Sequence, residues 1–163
     1  MEQKQLEKDR QELLVEFRRL AQTATSLDSL QNAIVTSISQ RLSAYNWTGF
    51  YMLDPEEPQM LVLGPFAGAP TPHVRIPVTQ GICGAAVASG ETVVVDDVSS
   101  DPRYLACSIE TKSEIVAPIY VHGKVTGEID IDSHQPAAFG SEDRRFVEET
   151  ARIVGAFIEA HSR

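Results

Sequence analysis

Two cysteines and three carboxylic acids within residues 81–132 are the side chains of this chain best suited to chemistry. They are Cys83, Cys107, Glu114, Asp130 and Asp132. A thiolate is a nucleophile and a redox carrier, whereas carboxyl groups crowded at one site retain at least one proton because like charges repel. Together these groups predict sulfur redox chemistry on a small polar substrate.

The two aspartates lie in a segment that alternates between polar and apolar residues. Ile129 precedes Asp130, and Ile131 separates Asp130 from Asp132. Successive side chains of a β-strand point to opposite faces of the sheet. We therefore expect both carboxylates on one face of a strand and both isoleucines in a core on the other face.

The composition limits the classes of partner. The chain has 163 residues, 42% of them hydrophobic, which predicts one domain with one core over residues 1–163. A formal net charge of −9 disfavours nucleic acids and anionic membranes, because both would be repelled at long range. The charged N-terminus has no apolar targeting segment, and no later stretch is apolar enough to span a bilayer. These features predict a cytoplasmic protein that binds small molecules or other proteins.

The cysteines and histidines limit the chemistry further. Two cysteines in a chain of this length are not a disulfide scaffold, and in a reducing compartment they are either buried filler or transiently reactive thiols. The four histidines, at positions 73, 122, 134 and 161, lack the spacing of metal ligands. Residues 81–84 lack the Lys-Ser/Thr pair of a phosphate-binding loop. We therefore predict neither a metal nor another cofactor.

The hydrophobic periodicity predicts helices at both ends of the chain and strands between them. Apolar residues at helical spacing indicate an amphipathic helix over 2–22, a second helix that begins at Ser26 or Asp28, and a last helix that begins near Ser141. A period of two indicates strands over 47–53, 60–64, 73–78, 92–95, 114–121 and 124–132. Small apolar residues indicate a short helix over 82–89, with Cys83 in its first turn and Gly90 at its end.

The order of these elements predicts an α+β protein with a largely antiparallel sheet and helices packed on it. Residues 1–45 would supply the N-terminal helices, residues 46–133 the sheet and the ligand site, and residues 140–162 the C-terminal helix. Prolines and glycines in residues 64–72 predict an ordered loop or flap in place of regular structure.

Seven short motifs occur in order between residues 46 and 133. They are Asn46-Trp47-Thr48-Gly49-Phe50-Tyr51, Leu61-Val62-Leu63-Gly64-Pro65-Phe66, Val74-Arg75-Ile76-Pro77, Gly81-Ile82-Cys83-Gly84, Ala106-Cys107, Ser113-Glu114-Ile115-Val116 and Asp130-Ile131-Asp132-Ser133. The set resembles the free methionine-(R)-sulfoxide reductases, which are single-domain members of the GAF superfamily. The resemblance implies a GAF-like fold, whose central sheet is mostly antiparallel and carries packed helices.

The resemblance also implies roles for the thiol and the acids. Cys107 matches the catalytic cysteine, whose attack on the sulfoxide yields methionine and a sulfenic acid that a dithiol such as thioredoxin finally reduces. Glu114 and Asp132 match groups that supply the acid and anchor the substrate, and Asp130 matches a further substrate carboxylate. An ionised member of this set would hold the ammonium group of free methionine sulfoxide, which peptide-bound methionine lacks.

Two aromatic residues complete the implied site. Trp47 and Tyr51 are four positions apart on a predicted strand and therefore share a face. They match the family's aromatic wall and would pack against the S-methyl group. A homodimer through the first and last helices is a further implication, because GAF domains often pair in this way.

The chain departs from the family at the residue that usually resolves the sulfenic acid. Histidine 73 stands where the family has its resolving cysteine, and Cys83 is the only other thiol. Its place at a helix N-terminus would lower its pKa, which makes it a candidate for resolving Cys107. The alternatives are attack by an external thiol, or a GAF module that binds a ligand without turnover. Ser108 and Glu128 also differ from the family pattern.

Overall fold

The computed structural model describes residues 2–105 and 109–161. This part of the chain contains the helices α1 (Glu2–Thr23), α2 (Leu27–Arg41), α3 (Gly81–Ser89) and α4 (Ser141–His161). Its strands are β1 (Trp47–Leu53), β2 (Met60–Ala67), β3 (Arg75–Pro77), β4 (Val93–Val95), β5 (Ser113–Val121) and β6 (Lys124–Ser133), and a short 3-10 turn at Val98–Ser100 follows β4. None of the helices described here has the length and apolar character that a bilayer crossing requires.

The six strands form one sheet in the order β3-β2-β1-β6-β5-β4, and all neighbouring strands are antiparallel. Helices α2 and α4 cover one face and α1 packs on both of them, and Ile129 and Ile131 join the larger apolar core there as expected. Helix α3 packs on β5 and β6 at the other face, over a second, smaller apolar cluster. The predicted α+β architecture is therefore confirmed, and both faces of the sheet are covered.

Strand β2 is longer than the sequence predicts. It continues through residues 64–67, so the prediction of irregular structure is wrong there. Phe66 pairs with Gly49 and Leu63 pairs with Tyr51, which leaves Gly64 and Pro65 opposite a single residue of β1. Such a bulge accommodates proline, because the residue it displaces from the ladder does not need an N–H donor.

The β5–β6 hairpin sets the register that the site depends on. Its turn residues, His122 and Gly123, have φ values of 50° and 78°. Two positive φ angles are typical of the type I′ turn, whose twist matches that of the paired strands. The hairpin aligns Glu114 on β5 with Asp132 on β6. The turn that the sequence predicts here is confirmed.

A buried polar network joins α1 to the start of α4. Arg10 donates from Nη2 to Asp143 Oδ1 over 2.8 Å, and the hydroxyl of Tyr45 donates to the same oxygen over 2.5 Å. Burial, followed by the charge of Asp143, raises the pKa of Tyr45 well above its ordinary value, so the phenol keeps its proton. The backbone N–H of Gly140 donates to the other carboxylate oxygen. One carboxylate thus fixes three segments of the chain.

Replacing Asp143 with alanine is expected to lower the free energy of unfolding by about 3–5 kcal/mol, because it removes the buried ion-pair partner of the Arg10 guanidinium and leaves only the longer contact with the partly exposed Glu7, at 3.4 Å. The change is measured by urea unfolding monitored with circular dichroism. The exposed Glu91 supplies a control, since its replacement by alanine should change the free energy of unfolding by less than about 0.5 kcal/mol. A similar small loss in the Asp143 variant would show that the network does not stabilise the fold.

Candidate functional site

A pocket lies on the face of the sheet that α3 covers, and six of the seven candidate side chains line it. It contains about 370 Å³ of empty space, part of it open to solvent. The six are Trp47, Tyr51, Cys83, Glu114, Asp130 and Asp132. The seventh, Cys107, lies outside the described residues. Leu105, two positions before Cys107 in the chain, is also part of the lining.

The strand register explains why residues that are distant in sequence converge. Asp132 on β6 pairs with Glu114 on β5 and with Trp47 on β1. Residues that are directly opposite on neighbouring strands project from the same face. Asp130 is two positions along β6 and therefore shares that face, whereas Ile129 and Ile131 alternate away from it. The shared face that the sequence predicts for both aspartates is confirmed.

The three carboxyl groups are removed from water. Glu114, Asp130 and Asp132 are 5%, 6% and 3% exposed. Burial raises the pKa of Asp130, and this effect is opposed by hydrogen bonds from Glu114 and Cys83. The Asp130 carboxyl therefore retains a proton to higher pH than an ordinary aspartate. Such a group can donate a proton over a wider pH range than an ordinary aspartate.

One cationic group can contact several of these side chains at once. Cys83, Glu114 and Asp130 each place one ligand atom within 4.8 Å of the others. A substrate ammonium has the size and charge for this position, since it donates three hydrogen bonds to oxygen acceptors. The arrangement suits a small cation that enters from the pocket.

Cys83 occupies the predicted first turn of α3, but its pKa is not lowered. Burial raises the pKa of this thiol well above its ordinary value, and the neighbouring acids Asp130, Glu128 and Glu114 add to the effect. The thiol donates to Asp130 Oδ2 over 3.5 Å. The expectation of a lowered pKa is thus wrong, because burial among acids outweighs the modest effect of a helix N-terminus.

Two aromatic rings form one wall of the pocket. The ring centroids of Trp47 and Tyr51 are 6.3 Å apart, and Phe66 stacks on Trp47 at 5.6 Å. The indole Nε1 donates to the backbone oxygen of Ala69 over 3.0 Å, and the Tyr51 hydroxyl donates to that of His73 over 2.7 Å. These bonds attach the 68–73 segment to the wall. His73 itself contributes to the pocket lining.

Replacing Gly49 with alanine is expected to displace the Trp47 indole. The new Cβ would lie 2.7 Å from Cζ3 of Trp47, which is closer than side chains tolerate. Overpacking of this kind costs about 1–3 kcal/mol of the free energy of unfolding. Fluorescence reports the displacement directly, because Trp47 is the single tryptophan of the chain.

A matched control for this substitution lies on the neighbouring strand. An alanine Cβ at Gly64 would meet its nearest neighbour at 3.4 Å, an ordinary contact distance. The Gly64 variant should therefore keep the wild-type emission spectrum and stability. An unchanged spectrum in the Gly49 variant as well would contradict the packing of the indole over this glycine.

Glu128 is a buried acid to which the sequence did not assign a role. It lies on β6 two residues before Asp130, so its side chain projects from the same face as Asp130 and Asp132. It is fully buried, and it is not part of the pocket lining. The polar–apolar alternation that places Asp130 and Asp132 on one face extends to Glu128. This pattern is the sequence signal that could have placed Glu128 on the site face.

Known proteins resemble this chain over most of its length. A model of the GAF domain matches residues 26–158. Protein YtsP of Bacillus subtilis is 40% identical over 150 residues, which are 91% of this chain and 90% of that protein. The free methionine-R-sulfoxide reductase of Saccharomyces cerevisiae is 42% identical over 110 residues, or 67% of this chain. The aligned segment covers 61% of the yeast enzyme.

A solved structure is similar over nearly the whole chain. The free methionine-R-sulfoxide reductase of Neisseria meningitidis, in complex with its substrate, superposes with a TM-score of 0.87 at 34% identity. The match covers 93% of this chain and 89% of that enzyme. The similarity thus includes both the sheet that carries the acids and the helices that cover it.

Proposed function

This chain belongs to the GAF domain family, and on that premise we propose that it reduces free L-methionine-(R)-sulfoxide to methionine. The observation that carries the proposal is the convergence of Glu114, Asp130 and Asp132, all buried, on one pocket opposite an aromatic wall. The named reductases of yeast and Neisseria support the same substrate.

Each part of the substrate has a complementary surface. The ammonium group would be held by the carboxyl groups of Glu114, Asp130 and Asp132. The S-methyl group would pack against Trp47 and Tyr51. The first turn of α3, with Gly81 and Ile82 in the lining, offers the N–H groups of a helix N-terminus to the substrate carboxylate. A peptide-bound methionine would lack both charged groups.

The chemical step needs a nucleophile and an acid. The Cys107 thiolate attacks the sulfoxide sulfur while a carboxyl group, supplied by Glu114 or Asp132, protonates the sulfoxide oxygen. The bond between that oxygen and the methionine sulfur then breaks, as does the new bond between the two sulfurs, while the protonated oxygen bonds to the Cys107 sulfur and makes it a sulfenic acid. Methionine leaves as the reduced product. The Cys107 sulfur supplies the two electrons for this reduction and is itself oxidised.

A second thiol must then return Cys107 to its reduced form. We propose Cys83 as this resolving thiol and a thioredoxin-type dithiol as the final reductant. The raised pKa of Cys83 means that its thiol must transfer its proton as it attacks, and the hydroxyl of the sulfenic acid, which leaves as water, takes it up. The sulfenic acid then loses water as the disulfide forms. Direct attack of an external thiol on Cys107 is the alternative route.

We also propose a cellular location and an oligomeric state for the protein. We expect the protein to be cytoplasmic, because thioredoxin is available there to reduce it. We also expect a homodimer that pairs through α1 and α4. The single domain over residues 1–163 also stays a prediction. Sedimentation velocity on the purified chain measures the oligomeric state, and a monomer at micromolar concentration would contradict the dimer.

An assay with three substrates tests the function. The protein is incubated with dithiothreitol and either free L-methionine-(R)-sulfoxide, its (S) epimer, or N-acetylated methionine-(R)-sulfoxide, and the reduced product is quantified. Only the first should be reduced, because the acetylated compound lacks the ammonium group. Reversible binding of the free sulfoxide without any methionine would instead favour a GAF module that only binds its ligand.

The same assay with thioredoxin as reductant separates the two routes of regeneration. If Cys83 resolves the sulfenic acid, Cys83→Ser will release about one methionine per chain and then stop. Continued turnover of this variant at the wild-type rate would establish the external route.

A further inference from the structure

Glu128 is the most deeply buried acid on the site face of the sheet. Its side chain is 0% exposed, and neither carboxyl oxygen has a well-aligned hydrogen-bond partner within residues 2–105 and 109–161. An ionised carboxylate in such surroundings would be strongly destabilised, so the group stays neutral. Accordingly, burial raises the pKa of Glu128 well above its ordinary value.

The titratable groups around Glu128 connect it to the pocket. Cys83 on α3 interacts with Glu128 and also donates to Asp130 Oδ2 over 3.5 Å. Asp130 is the nearest acid on the same strand, Tyr51 is the cross-strand partner on β1, and β5 contributes Pro118, which does not titrate. The thiol of Cys83 therefore stands between a sealed carboxyl group and one that faces the substrate.

We propose that Glu128 stores the proton that sulfoxide reduction consumes and passes it through the Cys83 thiol to Asp130 in the pocket. This inference rests on the proposed function. Glu128 does not line the pocket and acts through its neighbours, so it is a positioning residue and not a catalytic one.

The proton transfers balance over the first half of the reaction. The pocket acids give one proton to the sulfoxide oxygen as the Cys107 thiolate attacks, and Asp130 replenishes them. The Cys83 thiol gives its proton to Asp130 and takes the proton of Glu128, which becomes a carboxylate. The products are methionine, the sulfenic acid of Cys107 and ionised Glu128. When Cys107 is later reduced, its thiol ionises and the released proton restores Glu128.

The pH dependence of the first half-reaction tests this role. A carboxyl group with a raised pKa keeps its proton as the pH rises and loses it only above that pKa. Glu128 would therefore sustain the rate into the alkaline range. The reduced enzyme is mixed with free methionine-(R)-sulfoxide without another reductant, and methionine formation is timed between about pH 6 and about pH 9. This single turnover does not depend on the resolving step.

Glu128→Gln should match the wild-type rate within about threefold near pH 6 and fall at least about tenfold below it near pH 8.5. Cys83→Ala should show the same alkaline loss, whereas Cys83→Ser should lose less, because a hydroxyl can still pass a proton. Glu91→Gln is the matched control on an exposed glutamate and should follow the wild-type profile. A Glu128→Gln profile that runs parallel to the wild-type profile at every pH would overturn the inference.

Infrared spectroscopy supplies a readout that does not depend on activity. The wild-type protein near neutral pH should show the C=O stretch of a protonated carboxyl group, and Glu128→Gln should lose intensity in that band. If the variant does not fold, the absence of any such band in the wild type would overturn the inference. If the wild type forms no methionine at any pH, the proposed function fails and the inference fails with it.

Discussion

Replacing Cys107 with serine is expected to reduce methionine formation by about a thousandfold or more, because a hydroxyl is a far weaker nucleophile and cannot cycle through a sulfenic acid. The loss should appear even in a single turnover with free methionine-(R)-sulfoxide. Methionine released per chain, measured by chromatography, gives the result.

Cys83→Ser is the control for this substitution. It removes the chain's other thiol but keeps Cys107, so it should still release methionine once. A Cys107→Ser protein that reduces the sulfoxide at the rate of the wild type would show that the nucleophile lies elsewhere, and equal loss in both variants would remove the distinction between attacking and resolving thiols.

Replacing Asp132 with asparagine is expected to lower kcat/KM by about a hundredfold to ten-thousandfold, which is the range for removing a general acid. Asp132 is almost fully buried between Glu114 and Trp47, so the amide should preserve the packing while it removes the ionisable group that either protonates the sulfoxide or, when charged, holds the ammonium. Initial rates against substrate concentration measure the effect.

The exposed Asp96 provides the comparison. Asp96→Asn removes one negative charge outside the pocket and should leave kcat/KM within about twofold of the wild type. If Asp132→Asn retained wild-type kcat/KM, Asp132 would have no part in acid catalysis or in anchoring the substrate.

Local patterns predicted the elements that carry the site. The alternation around Asp130 and Asp132 predicted their common face, and the His122-Gly123 turn predicted the hairpin that aligns β5 with β6. These inferences succeeded because strand periodicity and turn conformation depend on residues that are adjacent in sequence.

Properties that depend on tertiary surroundings were predicted less well. The pKa of Cys83 was expected to fall, because a helix N-terminus is visible in the sequence, whereas the acids of β5 and β6 that surround the thiol are distant from it in the chain. Pro65 likewise indicated a break, since the bulge that accommodates it requires the partner strand. Glu128 fits the alternation, but only the packing of α3 on the sheet reveals its burial.

The most direct test is a mass measurement on the reduced Cys83→Ser protein, which lacks the proposed resolving thiol, after it meets one equivalent of free L-methionine-(R)-sulfoxide and dimedone, which traps sulfenic acids. We expect one methionine released per chain and a dimedone adduct that peptide mapping assigns to Cys107. Intact sulfoxide together with an unmodified Cys107 would contradict this expectation.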